Sequence, residues 1–247
     1  MRKNLAPNPP WAVHRPFPMK TLLLWDIDGT LTLSGGAGMQ ALESALRREF
    51  DIGAPAPTQG IDFAGRTDTW IMRQIFARLG LPDSADNLAR LLRAYLAELP
   101  EALKNPETRI LPGVTAVLEA LAARADCAQA LLTGNVERGA RIKLTHHGLS
   151  HYFAFGAFAD DSEWRNELGL IALRRARAHH GVEFAPERVF VIGDTPHDIA
   201  CGKVIGARTI AVATGRYSVD ELRAESPTAV FDDLSDTAAL LRALGAA

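Results

Sequence analysis

An α/β fold is predicted: a parallel sheet covered by helices on both faces, with a purely helical segment inserted after the first strand. Three observations predict it. Short apolar runs bounded by turn residues alternate with amphipathic stretches through the C-terminal half. The interval from Ser34 to Arg109 carries helical patterns and no convincing strand. The first apolar run, Leu22-Leu23-Leu24-Trp25, stops on Asp26-Ile27-Asp28-Gly29-Thr30, and ligands of parallel α/β sheets bind just beyond the carboxyl ends of strands.

Taken in order, residues 1–18 form a basic, proline-rich leader without hydrophobic periodicity or the apolar centre of a secretory signal. It is expected to be flexible and inessential, with Met19 as the candidate true start. Strands are expected at Thr21–Trp25, Ala128–Leu132, Ala154–Phe158, Arg188–Ile192 and Arg208–Val212, with Ala229–Phe231 as a sixth. Helical stretches between and after them are Val136–His147, Leu168–His180, His197–Ile205 and Leu234–Leu244. Alternation of this kind implies parallel strands under two helical layers. The inserted block holds Met39–Phe50, Thr67–Leu79 and Ala85–Leu99, and reads as a cap over residues 35–109. Its hinges are Gly35-Gly36-Ala37-Gly38 and Pro106–Pro112; no Gly-x-Gly-x-x-Gly opens a helix there, so the glycines read as a linker. The core is then 19–34 with 110–247.

Composition narrows the partners. With 247 residues, 47% hydrophobic and 23% charged, the chain is an ordinary globular one, long enough for a core and a smaller unit. A net charge of −2 argues against a nucleic-acid partner, and no apolar run approaches the ~20 residues that span a bilayer. Two distant cysteines, Cys127 and Cys201, suggest no disulfide framework and fit a reducing cytoplasm.

Chemistry gathers at three strand ends. Asp26 and Asp28 repel one another unless a cation lies between them. Leu131-Leu132 runs into Thr133-Gly134-Asn135 before a helix, which is an anion site if the N–H groups are free and a plain N-cap if they are not. Phe190-Val191-Ile192 runs into Gly193-Asp194-Thr195-Pro196-His197-Asp198, where Asp198 is either a site acid or a helix cap. Four acids on one sheet edge call for a hard cation, and oxygen-only ligation selects magnesium over zinc.

Asp-x-Asp-Gly-Thr after a hydrophobic strand, followed by the Thr133 and Asp194–Asp198 motifs in this order, resembles the haloacid dehalogenase-like hydrolases, in particular their phosphoglycolate phosphatase-like branch. The resemblance runs from Met19 to Ala247. It implies a Rossmann-like core with a helical cap and a magnesium-dependent phosphatase acting on a small soluble phosphate monoester. It also implies roles: Asp26 as nucleophile, Asp28 as acid and base, Thr133 and the adjacent amides of Gly134 and Asn135 on phosphoryl oxygens. Magnesium would sit on Asp26, Asp28 through its carbonyl, Asp194 and Asp198.

One piece departs from the family pattern. Where a lysine is usual, the chain reads Asp161-Ser162-Glu163-Trp164-Arg165-Asn166-Glu167. Arg165 is the segment's one cation and takes the lysine's place, or else is a solvated loop residue; Asn166 is another candidate. Lys143 is expected two turns into a helix, away from the strand ends. In the cap, Arg66 reaches the leaving group or faces water, while Thr67 or Asp68 caps the following helix. Histidines 146, 147, 151, 179 and 180 read as helix ends, and Trp25 and Trp164 as packing residues. The cap lacks histidine and cysteine and has one lysine, Lys104, which disfavours a sugar-phosphate mutase or phosphotransferase and a Schiff-base enzyme. A catalytically silent phosphate-binding protein is the remaining alternative.

Overall fold

A computed structural model describes residues 21–245; the leader and the candidate start at Met19 lie outside the described residues. Strands β1 (Thr21–Trp25) and β2 (Thr32–Leu33) are followed by helices α1 (Ala37–Phe50), α2 (Asp68–Leu79) and α3 (Ala85–Ala102). Then come β3 (Arg109–Ile110), α4 (Val114–Ala122), β4 (Cys127–Leu132), α5 (Glu137–His146), β5 (Gly156–Ala157) and α6 (Arg165–His180). The chain closes with β6 (Val189–Gly193), α7 (Pro196–Val204), β7 (Arg208–Val212), α8 (Val219–Ala224), β8 (Ala229–Phe231) and α9 (Thr237–Ala243).

Six strands form a parallel sheet in the order β5-β4-β1-β6-β7-β8. Strand β1 is central and fully buried, as an all-apolar strand between two helical layers must be. Its alternation splits the core. Leu23 and Trp25 join the apolar cluster under α4, α5 and α9, whereas Leu22 and Leu24 join the one under α6 and α7. Strand order reverses direction at β1, so the carboxyl ends of β1, β4 and β6 lie side by side at the topological switch point. Asp26, Thr133 and Asp194 each follow one of these three strands directly.

Helices α1, α2 and α3 share their own apolar cluster, including Leu46, Phe76 and Leu99, which also takes in Val136 and Ala159 from the sheet side. The links to this helical insert differ from the open linkers expected. Strands β2 and β3 pair antiparallel, Thr32 with Ile110 and Leu33 with Arg109, and the Asn105 amide and Thr108 hydroxyl donate to the Ser34 carbonyl. Two-residue strands are too short for an alternating signal. Helix α4 escaped the sequence reading because its continuously apolar VTAVLEALA shows little polar face, and α8 because it has six residues. Helix α6 begins three residues earlier than expected, which makes Arg165 its first residue. Among the described residues, no helix is long and apolar enough to cross a membrane.

Candidate active site

The turn after β1 depends on a glycine. Gly29 has φ +84, and a Cβ there would collide with the Asp194 carboxylate, so the chain passes against β6's acid only without a side chain. Gly215 is held against the same carboxylate from the loop after β7. Thr30 is buried, and its hydroxyl donates to Asp194 Oδ1 at 3.1 Å.

Asp26, Asp194 and Asp198 converge: each offers a carboxylate oxygen within 4.8 Å of the others, and all three residues are buried. One cation faces them. Arg165 Nη2 donates to Asp26 Oδ1 at 2.8 Å and also to Asp198 Oδ1, while its Nη1 donates to the Gly65 carbonyl of the insert at 3.3 Å. Both readings of Asp198 hold in geometry. Its Oδ2 accepts from the Thr195 N–H and hydroxyl in a capping box that starts α7, while its Oδ1 meets Arg165.

Electrostatics follow from that crowding. Burial, opposed by the charge of Arg165, pushes the Asp26 carboxyl up to about 6; the Asp198 and Asp28 charges add to the rise. Burial and the Asp198 and Asp26 charges push Asp194 well above the usual carboxylate range. Three acids against one arginine leave an excess of negative charge on oxygen donors alone, so the donor set fits a hard divalent cation.

Asp28 lies in a different setting. Burial alone would raise its pKa, but the Lys143 charge and hydrogen bonds from Lys143, Asn135 and Ser34 hold it below the usual range. Lys143 Nζ donates to Asp28 Oδ2 at 2.6 Å and to Asn135 Oδ1 at 2.7 Å, and Asn135 Nδ2 donates to Asp28 Oδ2 at 2.8 Å. Asp28 Oδ1 is buried and has no hydrogen-bond partner among the described residues. Lys143 is therefore in the site, contrary to the expectation that α5 would carry it away from the strand ends. The signal was present in the pattern: Gly139, Ala140, Lys143 and Leu144 form the buried stripe of α5, and a lysine on a buried stripe needs a partner.

The Thr133 segment is also more occupied than expected. Thr133 is buried, and its hydroxyl accepts from the Asn135 N–H at 3.3 Å and Nδ2 at 2.9 Å. It does not cap α5. Asp68 of the insert does, accepting the Val136 N–H at 2.9 Å, while Asp160 accepts the Glu137 N–H. The Asp68 N–H donates to the Gly134 carbonyl at 2.7 Å. Gly134 has no room for a Cβ because the Arg66 carbonyl lies against it. Thr67, not Asp68, caps α2 by accepting from the Trp70 N–H, and its hydroxyl donates to the Glu163 carbonyl at 2.7 Å. Asp68 thus bridges insert and core, a role that sequence spacing does not reveal.

Between the strand ends and the insert lies a cavity of about 700 Å3, lined by Asp26, Asp28, Gly134, Asn135, Lys143, Arg165, Asp194 and Arg66, among others. The Arg66 guanidinium lies 4.5 Å over the Trp70 ring rather than pointing only to water. Asn166 is exposed beside Trp164, itself 57% exposed, in a smaller cleft, whereas Trp25 is wholly inside the core. His179 packs on Phe155, and both cysteines are free thiols.

A parallel sheet carries an acid cluster and two buried cations, Arg165 and Lys143, at its switch point. The family model of the haloacid dehalogenase-like hydrolases matches residues 23–203, and the chain belongs to that family. It is 28% identical over 231 residues to "Probable phosphatase IndB" of Dickeya dadantii, covering 92% of this chain and 95% of that protein. It is 29% identical over 211 residues to "Tyrosine-protein kinase PtkA" of Mycobacterium tuberculosis, covering 85% and 67%. Among solved structures, a predicted phosphoglycolate phosphatase from Haemophilus somnus superposes with a TM-score of 0.70 at 20% identity, over 90% of this chain and 98% of that one.

Proposed function

We propose that the protein is a magnesium-dependent phosphatase that hydrolyses a phosphate monoester through an aspartyl-phosphate on Asp26, with the helical insert as its cap. The observation that carries this reading is the division of labour between Asp26 and Asp28. One sits in an acid cluster that fits a divalent cation; the other lines the cavity and is held by Lys143.

Asp26, Asp194, Asp198 and the Asp28 carbonyl would hold the ion, which supplies positive charge to offset the carboxylates and a phosphate dianion. Arg165 steadies Asp26 through Nη2. An Asp26 carboxylate oxygen attacks phosphorus, and the bond from phosphorus to the ester oxygen breaks. The proton of the Asp28 carboxyl passes to the departing oxygen, giving the free alcohol. An incoming dianion raises the proton affinity of Asp28, offsetting the effect of Lys143. Asp28, now ionised, takes a proton from water; the hydroxide attacks phosphorus and frees Asp26 and inorganic phosphate. Thr133, Gly134 and Asn135 stand beside the transferring group, with the Gly134 N–H unbonded among the described residues.

The test is phosphate release from a panel of esters with magnesium or with a chelator, alongside Asp26→Asn. Metal-dependent release that falls by at least about 10^4-fold in the folded variant is expected. Release unaffected by the substitution would reject the covalent route. A phosphotransferase is the second reading, favoured by the kinase-named relative; it predicts that an added alcohol acceptor takes the phosphoryl group in preference to water.

A further inference from the structure

The cavity is far from uniform. Its core end is charged, but the wall supplied by the insert and β2 consists of Leu33, Met39, Leu42, Ile61, Phe63 and Ile71. The polar groups among its lining are mostly committed to other partners. Ser34 bonds Asp28; Lys143 bonds Asp28 and Asn135; Asp68 accepts the Val136 N–H; Arg216 is paired with Asp62 at 2.6 Å. The Tyr95 hydroxyl and the Arg66 guanidinium are left to meet a ligand, and Arg66 already stacks on Trp70.

A polyol leaving group would bring several hydroxyls to a wall with few donors or acceptors, and those pressed against it would be desolvated without a partner. A two-carbon acid would leave most of the cavity empty. The Asp68 N–H on the Gly134 carbonyl holds the insert against the core, and the cavity between them stays partly open to solvent. Cavities of this size hold drug-sized ligands.

Resting on the phosphatase reading, we infer that the substrate is a phosphate monoester whose leaving alcohol carries an apolar body of at least one ring. The alcohol would lie along the Met39–Phe63 wall, with its ester oxygen facing the Asp28 carboxyl. The reaction is the same hydrolysis, releasing that alcohol and inorganic phosphate.

The experiment compares kcat/KM for phosphoglycolate, glycerol 3-phosphate and glucose 6-phosphate with that for benzyl phosphate and 2-naphthylmethyl phosphate. None of these leaves as a phenol, so differences report the pocket more than leaving-group acidity. Benzyl phosphate should exceed phosphoglycolate by about tenfold or more, and the naphthyl ester should gain about tenfold again. Met39 is 47% exposed, so Met39→Gln leaves the fold intact. That variant should shrink the benzyl-to-glycolate ratio several-fold, as should Phe63→Ser once its melting temperature shows it folded. A binding arm independent of turnover measures benzylphosphonate against phosphonoacetate by calorimetry with magnesium; the former should bind about tenfold tighter.

Polar esters cleaved as well as benzyl phosphate, or a ratio unmoved in both variants, would overturn the inference and leave the phosphatase standing. No release from any ester, with benzylphosphonate still bound tighter, would overturn the phosphatase and uphold the ligand class. Equal binding without release would overturn both.

Discussion

Asp26 and Asp28 are separated by one residue, yet their surroundings push their proton affinities in opposite directions. Around Asp26, two further buried acids share one arginine, and its carboxyl is pushed up to about 6. Around Asp28, one acid is hydrogen-bonded by a lysine and an asparagine and is held low. The difference lies in which element arrives. Helix α6 delivers Arg165 to the first and α5 delivers Lys143 to the second, while β6 and α7 add acids to the first alone. On the proposed mechanism, two carboxylates from one motif thereby take separate parts, one as a nucleophile that calls for a cation and one as a proton carrier.

The largest expected effect in breaking this contrast comes from Asp28→Asn. It removes the proton carrier but leaves the Asp26 cluster whole, so kcat should fall by about 10^2–10^4-fold with magnesium binding retained. Steady-state kinetics with calorimetry of magnesium checks this; a loss below tenfold would remove Asp28 from the chemistry.

Lys143→Met sharpens the same contrast. Without the lysine, burial acts on Asp28 with less opposition and its pKa rises. The water step needs ionised Asp28, so the acid limb of the pH–kcat profile should move to higher pH, with kcat about tenfold lower at neutral pH. An unmoved limb would mean that Lys143 is only structural.

The smallest effect falls on the other side, in stability. Asp26 and Asp194 hold protons more tightly folded than unfolded. The stability they contribute is full below the unfolded value of 3.8 and is lost as pH rises through about 6 for Asp26. In chelator at pH 7, Asp194→Asn should therefore stabilise the protein and raise its Tm. The rise in Tm that magnesium gives the parent protein should shrink. A lower Tm in chelator would show that the three acids do not repel as their geometry implies.

Strands β1, β7 and β8 are legible to the residue in the apolar runs, and so is the helical character of the insert. Asp26, Asp28 and Asp194 are legible too, because acids directly after a buried strand have no structural use there. Arg165 could be named from sequence as the one cation of its segment, but its contact with Asp26 depends on α6 starting at that residue. Lys143 and Asp68 were not legible as site and docking residues. Each acts across more than sixty residues of sequence, Lys143 on Asp28 and Asp68 on Val136, and no local period encodes such a pairing.

What the sequence by itself determined is the strands of the main sheet, the acids at their ends and the family they resemble, since burial pattern and chain order are local properties. Only the tertiary structure decided which cation faces which acid, that the insert closes through Asp68 on α5, and that the cavity wall opposite the acids is apolar. Those outcomes depend on where helices from distant parts of the chain dock on the sheet. Docking is set by complementary packing between elements, which neither periodicity nor composition along the chain records.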